Sequence, residues 1–151
     1  MDWAFDITLK NRNILESILD SCSLDQLNKV PKGFGNNIIW NIAHVIATQQ
    51  ILIYRLSGLP YVVSNEFIER FKKGTKPERD LSQVEVDEIK SLLFTPIEKT
   101  KMDYNNNVFK DFEEYTVSTK STLTCVQEAI DFNNFHEGIH LGSILALRKL
   151  V

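Results

Sequence analysis

The sequence predicts an all-α fold, a four-helix bundle with long connections, on three observations. Apolar residues recur at helical spacing over four long segments. Asn, Ser or Thr residues suited to capping a helix start stand before three of them. Gly and Pro number only 6 and 4, too few for the turns of a many-stranded β protein. Two connections of roughly 15 to 25 residues exceed what an up-down bundle needs, which leaves room for crossovers.

The first helix is expected from about Asp2 to Ser21, where Trp3, Ile7, Ile14, Leu15, Ile18 and Leu19 recur at helical spacing. Ser23-Leu24-Asp25-Gln26 reads as a capping box for one short turn. Val30-Pro31-Lys32-Gly33-Phe34-Gly35 then breaks the pattern. Asn36 or Asn37 can cap a second long helix, Ile38 to Leu56, which Ser57-Gly58-Leu59-Pro60 terminates. A short helix over about Asn65 to Lys72 offers Phe67, Ile68 and Phe71 to the end of a core. Ser82-Gln83-Val84-Glu85 is a second capping box and opens a third helix carrying Val86, Ile89, Leu92, Leu93 and Ile97, with a kink expected at Pro96. Turn formers from Asp103 to Asn107 end it, and Phe112 to Val117 reads as extended, within a long ordered loop. Thr124-Cys125-Val126-Gln127 offers a third capping box, for a fourth long helix that runs to the C-terminus.

A chain of 151 residues is expected to form one domain, 1–151, since two halves would each fall short of a self-sufficient core. With 43% hydrophobic and 25% charged residues it has the composition of a folded globular chain. Lys+Arg 17 against Asp+Glu 20 leaves a net charge of -3, the wrong balance for neutralising phosphates, so no nucleic-acid partner is expected. Lys72, Lys73, Lys76 and Arg79 are interleaved with Glu66, Glu69, Glu78 and Asp80 and read as a solvated surface. The greasiest stretch, Ile38 to Leu56, is interrupted by Asn41, His44, Thr48, Gln49, Gln50 and Arg55, so no membrane partner is expected either. The opening residues lack the features of a signal peptide. Cys22 and Cys125 suggest no disulfide framework and read as small buried residues; a cytoplasmic location follows as an expectation.

The chain holds three histidines, His44, His136 and His140, each on an apolar helical face. His136 and His140 lie one turn apart on the last helix, in a stripe with Phe132, Asn133, Ile144 and Leu147. His44 is flanked at helical spacing by Trp40, Ala47 and Ile51. A buried imidazole needs partners for both ring nitrogens, and a helical core offers few. One divalent ion satisfies three of them at once, because Zn, Ni, Cu and Fe all accept imidazole nitrogen. The spacing therefore points to a metal site of His44, His136 and His140. His136-Glu137-Gly138-Ile139-His140 also spells the H-E-x-x-H string of zinc proteases. Such enzymes recruit a third ligand downstream, and Leu141 to Val151 contains no His, Asp, Glu or Cys. A protease is not expected.

Asn37-Ile38-Ile39-Trp40-Asn41-Ile42-Ala43-His44 is similar to the second-helix W-x-x-x-H segment of the DinB superfamily, and His136 to Ile144 resembles that family's fourth-helix H-x-x-x-H-x-G-Q-I. Ser143 stands where many members carry Gln. The resemblance implies a four-helix bundle with a three-histidine site for a divalent transition metal, commonly nickel or zinc. It also implies kinship with transferases that use low-molecular-weight thiols such as bacillithiol, mycothiol or glutathione, and with a maleylpyruvate isomerase. The expected partners are a small-molecule substrate, such a thiol, and a second copy of the chain as a homodimer. Three protein ligands would leave a coordination position for thiol, water or substrate. Thiol transfer, hydrolysis through a metal-bound water, and metal binding without turnover all remain open. So does Glu137, which either orients such a water or faces solvent. Thr48 and Asn133 are candidates to support the ligands.

Overall fold

In the computed structural model, which describes residues 1–151, the long segments form the helices of a bundle. Its walls are α1 (Asp2–Ser21), α3 (Ile38–Gln50), the consecutive α5 (Gln83–Ser91) and α6 (Thr95–Asn105), and α7 (Val126–Leu147). Short helices α2 (Leu24–Asn28) and α4 (Asn65–Phe71) lie in the connections. A small antiparallel hairpin, β1 (Tyr115–Thr116) with β2 (Thr122–Leu123), leads into α7. Helix α7 packs against both α1 and α3, and α3 also meets α4 and α5.

The centre of the bundle is α3, in which every residue from Ile38 to Ala47 is buried. Ile39, Ile42 and Ile46 meet Leu15, Leu93 and Ile144 in the larger part of the core. Phe5, Leu52, Ile53, Ile97 and Ile130 belong to the smaller part. Each such side chain contributes about 1.5–3 kcal/mol by leaving water. The helix starts follow the sequence: Ser23 and Ser82 form complete capping boxes with Gln26 and Glu85, and Asn37 accepts from the Trp40 amide at 2.9 Å. Arg79, Arg70 and the Ser82 amide all donate to Glu85 and hold its carboxyl well below the usual range. Past Gln50 the second long helix continues as a π-turn, Ile51–Arg55, and ends where Gly58, at φ 69°, lets Leu59 N donate back to Tyr54 O.

Four local expectations are corrected. The buried stripe of α1 runs through Ala4, Phe5, Thr8, Arg12, Leu15, Ile18 and Leu19, which leaves Trp3 76% and Ile14 43% exposed. A reading of apolar residues alone misplaced the stripe because two polar side chains, Thr8 and Arg12, lie on it. The expected third helix is two helices broken at Leu92–Phe94, and Pro96 sits in the first turn of α6. Its fixed φ and missing N–H suit a helix start better than a mid-helix kink. The box at Thr124 does not close on Gln127. Glu128 Oε2 instead accepts from both the amide and the hydroxyl of Thr124, and Cys125 is the N-cap without a side-chain bond. Tyr115 to Leu123 forms a hairpin where a loop was expected, its two-residue strands being too short to show a period. Cys22 and Cys125 are free and half-buried.

Candidate metal centre

The capped start of α3 and the middle of α7 bring the three histidines together. One ring nitrogen from each of His44, His136 and His140 lies within 4.8 Å of the other two. The ring centroids are 5.3 Å apart for His44 and His136, 4.7 Å for His44 and His140, and 4.5 Å for His136 and His140. His44 is buried, while His136 and His140 are half-buried, so one side of the cluster is open.

Neighbouring groups select the tautomers of two rings. His44 Nδ1 is 2.6 Å from Phe71 O, a pure acceptor, so Nδ1 carries the proton and the lone pair is on Nε2. The Thr48 hydroxyl, 3.3 Å from that Nε2, donates to the same lone pair a metal would take, so it holds the ring in the absence of an ion and does not support it from behind as the sequence suggested. The Trp40 ring stacks on His44 at 4.6 Å and 11°, and its indole N–H donates to Thr75 Oγ1 at 3.2 Å. Asn41 plays the corresponding part for His140. Its amide nitrogen donates to Asn37 O at 2.7 Å and Asn36 Oδ1 at 3.0 Å, which leaves Oδ1 facing His140 Nδ1 at 2.8 Å. His140 therefore donates from Nδ1 and keeps its lone pair on Nε2. The third ring lacks such an anchor, since His136 Nδ1 is buried with no hydrogen-bond partner.

Burial lowers the pKa of all three rings. For His136 it acts with the neighbouring His140, His44 and Arg12 and pushes the value down to about 3. His140 falls to about 4 through burial and His44. His44 is lowered by burial against the opposing effect of its bond to Phe71. Three neutral imidazoles, two with lone pairs set by their neighbours, are the form a transition metal binds. The ring nitrogens all lie within 4.8 Å of one another; a tetrahedral site with Zn–N bonds of ~2.1 Å needs them roughly 3.4 Å apart, a gathering that ring rotations supply. The unanchored ring of His136 is the one freest to make them. The residues fit a divalent metal.

Glu137 takes neither of its expected roles. It is fully buried beside His136, where Arg12 donates to it from Nη2 at 2.6 Å and from Nε at 3.2 Å. Asn133 donates to the same carboxylate at 2.9 Å, so this residue supports Glu137 and not a histidine directly. Arg12, Asn41 and the Phe71 carbonyl are the site-forming groups that sequence reasoning passed over. A signal existed for the two side chains: Arg12 and Asn41 are polar residues at otherwise apolar stripe positions. The Phe71 carbonyl left no such mark, because a backbone atom carries no residue-type signal. A surface cavity of about 630 Å³ is lined by Trp40, Arg70, Phe71 and Thr75 but by none of the histidines. Trp40, stacked on His44, is a wall it shares with the cluster.

No helix is long and apolar enough to cross a membrane. Among curated proteins none matches this chain. The family model of the DinB superfamily matches residues 8–144, a span that takes in all three histidines, the whole of α3 and α7 as far as Ile144. By that match, and with the bundle and its histidine cluster in agreement, the chain belongs to the DinB superfamily.

Proposed function

We propose that the chain, acting as one domain over residues 1–151, is a cytoplasmic divalent-metal-dependent enzyme whose ion, nickel or zinc, is held by His44, His136 and His140. The observation that carries this reading is the convergence of three neutral imidazoles at a half-open edge of the bundle. When bound, the metal supplies Lewis acidity and lowers the pKa of a coordinated thiol or water. The rest falls to the chain. Phe71 O and Asn41 Oδ1 hold two rings with Nε2 presented, Trp40 covers the buried side of His44, and the half-exposed His136 and His140 leave access for a small molecule.

Thiol-dependent S-transfer is the reaction these features suit best. Glu137, the carboxylate a hydrolase would use as its base, is occupied by Arg12 deep in the core. The same observation favours a second reading, a metal-binding bundle without turnover, because no other acid or base is hydrogen-bonded to the histidines. Metal analysis of the untagged protein, with His44→Ala and His140→Ala beside it, tests the site: about one ion per chain is expected, and unchanged occupancy in either variant would overturn the assignment. Activity of the loaded protein with low-molecular-weight thiols and a panel of electrophiles separates the two readings.

A further inference from the structure

We infer that the interior beside Glu137 is a binding site for one water molecule, through which Arg12 and Asn133 position the ring of His136. Four buried side-chain polar atoms have no hydrogen-bond partner within the chain, and three of them belong to side chains around Glu137: Arg12 Nη1, Asn133 Oδ1 and His136 Nδ1. Such atoms are rare in a folded interior, and three around one residue call for a shared partner. Arg12 and Asn133 are each 1% exposed. Both converge on Glu137 Oε1, Arg12 from Nη2 at 2.6 Å and Asn133 from Nδ2 at 2.9 Å. His136 precedes Glu137 on α7, and the Arg12 charge is close enough to act on its ring.

The hydrogen-bonding roles of the three atoms are complementary to water. Arg12 Nη1 can only donate. Asn133 turns its amide nitrogen to the Glu137 carboxylate, which only accepts, so its free atom is the oxygen, an acceptor. His136 Nδ1 donates when the ring presents Nε2 to an ion, as the rings of His44 and His140 do. A water accepts from Arg12 and His136 with its two lone pairs and donates to Asn133, about the three hydrogen bonds typical of a buried water. A small anion would lack the hydrogen that Asn133 accepts, and a cation would face the Arg12 charge. Water suits all three.

The bridge supplies the anchor that the third ring lacks. Phe71 O and Asn41 Oδ1 hold the other two rings directly. Reached through water, Arg12 and Asn133 fix the protonated nitrogen of His136 yet leave the ring room to turn toward an ion. Glu137 in turn holds both of them in place. Arg12 and Asn133 are thus positioning residues that bind no ion themselves. The bridge stands with or without a metal, whereas its effect on metal affinity rests on the three-histidine reading proposed above.

A crystal structure of the metal-free wild-type chain, at a resolution that shows waters, tests the site by itself. One ordered water is expected within about 3.2 Å of Arg12 Nη1, Asn133 Oδ1 and His136 Nδ1. Direct bonds among these side chains, or no water between them, would overturn the proposal. The positioning role is read by NMR on the zinc-loaded chain with isotope-labelled histidine. The Nδ1 proton of His136 should show magnetisation transfer to a long-lived water. In Asn133→Ala and in Arg12→Lys that transfer should be lost, while the Nδ1 proton of His140, held by Asn41, is unchanged. Arg12→Lys keeps a charge opposite Glu137 but has no second nitrogen for the water. Zinc affinity should fall about 10-fold in both variants. A His136 Nδ1 that carries no proton, or transfer that survives both changes, would sink the positioning role. A chain that binds no zinc would defeat the three-histidine reading instead, and the crystal structure would still decide the water.

Discussion

Arg12 of α1 and Glu137 of α7 form a forked ion pair in the interior, with side chains 1% and 0% exposed, beside the histidine cluster. Asn133 donates to the same carboxylate, so most of its acceptor capacity is met without water. Such a pair contributes little net stability against a well-packed apolar pair, yet losing one member strands a charge. Arg12→Met should therefore destabilise the chain by about 3–5 kcal/mol, and Arg12→Met with Glu137→Leu by much less. Urea denaturation of the three proteins decides it; equal losses in the single and double variants would contradict the account.

Asn41→Leu removes the acceptor that fixes His140 in its Nδ1-protonated form. Metal affinity should fall about 10- to 100-fold, the usual cost of losing a group that orients a ligand. Competition titration with a chromophoric chelator measures this. A variant with wild-type affinity would mean that His140 does not depend on Asn41.

Acid should destabilise the metal-free chain over a defined window. His136 and His140 titrate at about 3 and about 4 in the folded chain, below the ordinary 6.5, and His44 is lowered too. Between those values the unfolded chain binds more protons, so stability is full above about pH 6.5 and falls as pH drops toward 4. Each histidine adds a slope of at most about 1.4 kcal/mol per pH unit. Urea midpoints across this range should decline, and His136→Phe should flatten the decline. A midpoint independent of pH would show that these imidazoles titrate normally.

The same lowered values delay proton competition for a bound metal. Zinc should stay bound at about pH 5.5, a unit below the ordinary histidine value, and leave as pH approaches 4. Dialysis at stepped pH with elemental analysis reads the loss. Complete release already at about pH 6.5 would point to unshifted ligands.

Removing the metal should leave a folded bundle. The core around α3 is built from aliphatic side chains, and the caps at Ser23, Asn37 and Ser82 engage no histidine. Circular dichroism before and after chelation should show unchanged helix. Metal at a hundredfold over its Kd should add about 2.7 kcal/mol and raise the melting temperature. Wholesale loss of helix on chelation would make the ion a structural staple.

Local periodicity made the helices and the histidine set legible. His136 and His140 share a face because i and i+4 always do on a helix, and the apolar neighbours of His44 declared its face as well. The capping boxes at Ser23 and Ser82 were readable for the same reason, since each is closed within four consecutive residues. Where two candidate partners were one residue apart, as with Gln127 and Glu128, the local string did not decide, and backbone geometry chose Glu128. The fate of Glu137 lay further out of reach. Its partner stands 125 residues away on α1, and only the packing of α1 against α7 brings Arg12 to it. Asn41 and Phe71 likewise became ring anchors through contacts between helices that no spacing rule encodes. Sequence alone determined which side chains share a helical face, because that follows from backbone repeat. Tertiary structure decided which faces meet, because that depends on how whole helices pack, and those meetings set the tautomers, the burial and the openness of the site.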